Sequence, residues 1–195
     1  LTAFSSIRSL GESIHQCDSY LTLSSKALGR KCQAMNQLML DTIEKIRFDE
    51  NERIQELITK QRARREQSIT GNGHAMAMAA ACAGMSPVAR ISQQLSGLDA
   101  IAQLKKLDQS LNQITELHAF KNLLQGIHQK VLQAPRQFLL VGDADKLDDY
   151  YQNLMATWEP QTVPNNFAAF DYPVATHKVN QAWITNTQVN FCAKA

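Results

Sequence analysis

The side chains able to do chemistry in this 195-residue chain are few and scattered. Its histidines are His15, His74, His118, His128 and His177, and its cysteines Cys17, Cys32, Cys82 and Cys192. Two imidazoles four apart on one helix would hold zinc with a glutamate between them as base, the H-E-x-x-H or H-x-x-E-H arrangement. No histidine here begins either pattern, and His118 and His128 stand too far apart to share a tight site. No two cysteines sit at the C-x-x-C spacing of a metal ligand pair, so they read as buried free thiols of a reducing, intracellular compartment. A nucleophilic serine on a G-x-S-x-G elbow is absent. Gly71-Asn72-Gly73 lacks both the preceding strand and the full pattern of a phosphate loop. Asp143, Asp145, Asp148 and Asp149 cluster where a helix begins, and a helix N-terminus favours such charges without catalysis. The expected catalytic, cofactor-binding and metal-ligating residues within this chain are therefore none.

One charged run invites a binding role. Arg53, Lys60, Arg62, Arg64 and Arg65 share a helical stretch, as a nucleic-acid patch would. No aromatic residue is interleaved for base stacking. Glu56 precedes Lys60 by four and Arg62 precedes Glu66 by four, the spacing of intrahelical ion pairs. The run reads as a solvated helix face, with a nucleic-acid binder through Lys60–Arg65 kept as the third reading of function. A net charge of +2 gives no independent argument for nucleic acid or an anionic membrane.

The elements that carry these residues follow from periodicity. Leu1–Leu10 is short and reads as a strand or a loop end. From Cys17 to Leu23 apolar and polar residues alternate, as in a strand with one buried face. Lys26–Arg47 is a helix, with Met35, Leu38, Met39, Ile43 and Ile46 on one stripe. Asp49 or Asn51 caps the next helix, Glu52 to about Ala83, whose first half is expected in solvent and whose Ala/Met-rich second half is expected buried. Gly71 and Gly73 mark a kink or a close contact in it, and His74 is expected to bond a neighbouring backbone carbonyl. Ser86-Pro87 opens a further helix as N-cap and first helical residue. Gly97 interrupts it, and helix resumes from Leu98.

Leu111–Gln133 continues as helix, with Leu117, Phe120, Leu124, Ile127 and Val131 on one face, until Pro135. Gln137–Val141 (QFLLV) has the uniform apolar character of a strand covered on both faces. Asp143 or Asp145 caps a last helix with the stripe Leu147, Tyr150, Tyr151, Leu154 and Trp158. Pro160, Pro164 and Pro173 then make a linker, and Trp183–Phe191 alternates like a second half-buried strand. No apolar run is long enough to span a bilayer. The absent initiator Met and the unfinished strand pattern at the end suggest a piece of a longer protein.

Three stretches carry a resemblance. One reads R-R-E-x-S-I-x-x-x-G-H-x-x-A-M-x-A-A-x-A-x-M-S-P and runs on to Leu107; the others are Leu23–Arg30 (LSSKALGR) and Ala182–Ala195 (AWITNTQVNFCAKA). Together they resemble the C-terminal half of presequence-protease-type enzymes in the pitrilysin/insulinase superfamily of zinc metallopeptidases. The resemblance implies an α+β fold, a sheet covered on one face by several long helices. Residues 1–159 would be the helix-rich third domain of the parent, 160–181 a linker and 182–195 the opening strand of the fourth domain. Zinc and its general base would belong to the N-terminal catalytic half, with none bound by this segment. The implied partners are that half and peptide substrates, with no nucleic acid and no membrane. The alternative is a stand-alone helical protein-interaction module.

Overall fold

The structure is a computed structural model that describes residues 1–10, 13–158, 170–171, 179–184 and 188–195. It is helix-rich α+β, as expected. Strand β1 spans Thr2–Leu10, β2 Ser13–Ser24 and β3 Phe170–Asp171. They form a sheet in the order β1-β2-β3, with Cys17 opposite Phe170 in an antiparallel register. The helices are α1 (Cys32–Glu44), α2 (Asn51–Cys82), α3 (Pro87–Ser96), α4 (Leu98–Ser110), α5 (Ile114–Gln133) and α6 (Leu147–Thr157). Short 3-10 turns precede α1 and α6.

The chain packs as two compact units. One comprises Leu1–Ser6, Leu21–Asp49 and Lys121–Phe167, the other Ile7–Tyr20, Glu50–Phe120 and Ala168–Ala195. In the first, α1 packs on α6. Trp158 is 5% exposed, with Phe138 edge-on at 5.7 Å and the Arg136 guanidinium 5.3 Å from its ring centre. His128 Nε2 lies 2.6 Å from the Ile43 carbonyl, and a carbonyl can only accept, so Nε2 carries the proton. The histidine that bonds a backbone carbonyl is thus His128. His74, expected in that role, is exposed and has no hydrogen bond among the described residues.

In the second unit, α2 packs on α4 and α3, and α3 on α4. Met76, Ala83, Ala100, Ile101, Leu111 and Leu117 are buried there. Each fully buried large aliphatic contributes roughly 1.5–3 kcal/mol through removal from water. Ser86 caps α3 as expected, its Oγ accepting from the Ala89 amide at 3.2 Å, with Pro87 buried behind it. Gly97 separates α3 from α4.

Several expectations need correction. The caps foreseen at Asp49 or Asn51 and at Asp143 or Asp145 do not form: Glu50 and Lys146 hold the N-cap positions of α2 and α6 without side-chain bonds. Asp49 is instead taken by Arg47, at 3.1 and 2.8 Å. Gln137–Val141 is irregular and not a covered strand, with Leu139 92% and Val141 84% exposed. A strand forms only where a neighbour supplies the other half of the ladder, and no strand among the described residues pairs with this run. The second half of α2 is not buried all round: Gly73 and Met76 are covered, while Met78 and Ala79 face solvent. Nor is the first half merely solvated, since it meets α4. The described residues of Ala182–Ala195 form no strand, and Cys192 is exposed. The linker of 160–181 falls largely outside the described residues.

Candidate functional site

The middle of α2 has the right sequence to face both a neighbour and an open groove. Gln55, Thr59 and Arg62 recur at helical spacing and all turn toward α4. Gln55 Nε2 donates to the Leu111 carbonyl at 2.6 Å, satisfying an acceptor that the end of α4 leaves open. Thr59 Oγ1 donates to Asp108 Oδ1 and Arg62 Nη1 to Asp108 Oδ2, each at 2.6 Å. Arg62 Nε faces Glu66 at 3.8 Å, an ion pair without a hydrogen bond. Lower on the helix, Glu56 accepts from both Lys60 and Arg53, which holds its carboxyl below the usual range, Lys60 contributing most.

Three of the five cations of the basic run are thereby spent on carboxylates. Arg64 and Arg65 are not. Neither has a carboxylate three or four residues away in either direction, and neither is in an ion pair among the described residues. Both line a groove of about 420 Å3 in the second unit. Along α2 its wall is Gln61, Arg64, Arg65, Ser68, Asn72 and Met76; Ser96 of α3 and Ile101 of α4 stand opposite. Among the described residues no acidic side chain lines it. Ser68 Oγ donates to the Arg65 carbonyl at 2.7 Å.

Asn72 reaches the groove from a break in the helix. Its φ of −134° and ψ of 20° are not helical, and α2 continues on both sides. The flanking glycines are the kink that the sequence led one to expect, glycine being the residue that least resists such a departure. Gly73 is also the expected close contact: the Phe191 ring lies where its Cβ would stand. Gly71 has open space around it.

The other singled-out residues do not assemble. His118 is exposed on α5, His15 lies in β2 and His177 falls outside the described residues. Asp148 and Asp149 occupy the first turn of α6, exposed, where the helix dipole favours them. Among the described residues no three of His, Cys, Asp and Glu form a group that could hold a metal ion, so the residues present do not fit a zinc site. No helix among them is long and apolar enough to cross a membrane. The groove itself was not foreseen. Its signal was available as two adjacent arginines with no carboxylate at helical spacing.

Such an arrangement can bind an anion and hydrogen-bond an extended chain, and among the described residues it holds no nucleophile or base placed for catalysis. A helix-rich α+β protein of this kind is a binding or framing element. The chain belongs to the family associated with peptidases of class M16, subfamily C, whose model matches residues 1–107. It is similar to the mitochondrial presequence protease of Danio rerio, 31% identical over 87 residues, 45% of this chain and 8% of that protein. It is also similar to protein HypA of Clostridium perfringens, 24% identical over 177 residues, 90% of this chain and 18% of that protein. Presequence protease 1, chloroplastic/mitochondrial, of Arabidopsis thaliana is 23% identical over 180 residues, 91% of this chain and 16% of that protein. The chain thus spans less than a fifth of the length of these relatives.

Proposed function

We propose that this chain is a non-catalytic segment from the C-terminal half of a zinc metalloendopeptidase that degrades unstructured peptides. It would supply part of the wall of the peptide chamber and a surface that meets the catalytic half. Residues 1–159 would be the third domain of the parent, 160–181 a linker and 182–195 the opening of the fourth. The observation that carries the reading is the family match over residues 1–107, with presequence proteases among the relatives. In the parent, zinc supplies activation of the attacking water. No step of hydrolysis runs through residues of this chain. Its own contribution is to hold peptide and to exclude water when the two halves close.

The test is a fluorogenic-peptide assay combined with metal analysis by mass spectrometry. The purified 195-residue chain is expected to hold no stoichiometric zinc and to cleave nothing. The catalytic half is expected to regain cleavage when the complete C-terminal half is supplied in trans, and not when that half lacks residues 1–160. Chelator-sensitive cleavage by the 195-residue chain alone would overturn the proposal.

A further inference from the structure

We infer that the groove along α2 is a carboxylate-binding subsite, with Arg64 and Arg65 receiving an anionic group of a bound peptide and Gln61 and Asn72 hydrogen-bonding its backbone. The inference rests on the peptide-chamber reading and deepens it. Four observations converge on it. Arg64 and Arg65 have no ion-pair partner among the described residues, whereas Arg53, Lys60 and Arg62 on the same helix are all paired. The groove contains two guanidinium groups and, among the described residues, no carboxylate to neutralise them. Its remaining polar side chains, Gln61, Ser68, Asn72 and Ser96, are uncharged groups able both to donate and to accept, as a peptide backbone demands. The break at Asn72 brings an amide into the groove that a regular helix would carry past it.

The volume of about 420 Å3 is enough for a few residues of extended chain and too small for a folded partner. A guanidinium matches a carboxylate with two parallel N–H donors, so arginine here selects a carboxylate by geometry as well as by charge. The carboxylate has two sources in a peptide, the C-terminal α-carboxylate and the side chain of Asp or Glu.

The experiment uses the full-length protein that contains this chain, with Arg64→Gln/Arg65→Gln as the double variant and Arg53→Gln as a control outside the groove. Four fluorogenic peptides of one parent sequence are compared: acidic with a free C-terminus, acidic and amidated, Asp→Asn with a free C-terminus, and Asp→Asn and amidated. The double variant is expected to lose roughly tenfold or more in kcat/KM on the first peptide, mainly through KM. It should lose less than about twofold on the last, which has no carboxylate to bind. Arg64→Lys/Arg65→Lys should recover part of the loss, and added salt should weaken the wild-type preference. Whichever single replacement abolishes the difference identifies the source. Equal loss on all four peptides, or no loss on any, overturns the inference. Should the full-length protein cleave no peptide, the peptidase reading falls. The groove is then decided separately by fluorescence anisotropy, in which the labelled acidic peptide must bind full-length wild type more tightly than the double variant and more tightly than its neutral counterpart.

Discussion

Arg62 on α2 and Asp108 on α4 meet at 2.6 Å between Nη1 and Oδ2, across 46 residues of sequence. Asp108 is only 13% exposed and Arg62 30%, so the pair is shielded on both sides. Removing one partner leaves a largely covered charge behind. Arg62→Ala is expected to destabilise the protein by about 1–3 kcal/mol. Lys60→Ala, whose ion pair with Glu56 stands in solvent, should cost much less. Denaturant melts of the two variants make the comparison. Equal costs would show that α2 and α4 are not joined through this pair.

The two glycines flanking Asn72 are expected to respond oppositely to a methyl group. Gly71→Ala meets nothing within 4 Å and should stabilise the helix by roughly 0.5–1 kcal/mol. Gly73→Ala places its methyl against the Phe191 ring and should destabilise by about 1–3 kcal/mol, overriding the gain in helix propensity. Phe191→Ala on the Gly73→Ala background should recover most of the loss. Thermal melts of these variants beside the wild type read the comparison.

Acid should weaken the fold through three surface carboxylates. Glu56 is held below its ordinary value of 4.5 by Lys60 and then Arg53. Asp41 is held below 3.8 by hydrogen bonds from Lys45 and then Gln37, and Asp49 chiefly by Arg47. A carboxyl that is more acidic folded than unfolded binds fewer protons in the native state. Its stabilising contribution is present above the unfolded value and disappears as pH falls through the folded one. The melting temperature contribution of these groups is expected to be level from pH 7 to about 5 and to fall below about 4.5. Glu56→Gln should reduce that fall, and about 1 M salt should shrink it, because the groups are exposed.

Thiol reactivity should follow burial. Cys192 is exposed, Cys32 and Cys82 are half-buried, and Cys17 is 2% exposed. Burial, and secondarily the neighbouring Asp18, push the Cys17 thiol above its ordinary value. The thiolate is the reacting species, so Cys17 is penalised twice. Timed alkylation at about pH 8 with peptide mass spectrometry should find Cys192 modified first and Cys17 last. Early modification of Cys17 would place β2 wrongly.

What could be read without the structure was what is settled locally. Ser86-Pro87 announces a helix start because a hydroxyl that accepts from an amide three residues on needs nothing from the rest of the chain. Gly97 as a break and the extent of α2 were legible for the same reason. Glu56 with Lys60 was legible because four residues of helix bring them together. The family was legible as well, in ordered segments of sequence that need no coordinates.

Gln137–Val141 was misread because an apolar run records an affinity for burial and not whether a covering neighbour is present. The Ala/Met run of α2 was misread because it has no polar contrast to mark a face, so only packing chose Met76 for the core and left Ala79 outside. The candidate site turns on the same distinction. Arg62, Arg64 and Arg65 are equivalent cations in the sequence. The fold carries Asp108 to one of them and, among the described residues, brings no carboxylate to the other two, because pairing between helices is set by which faces meet and not by spacing along the chain.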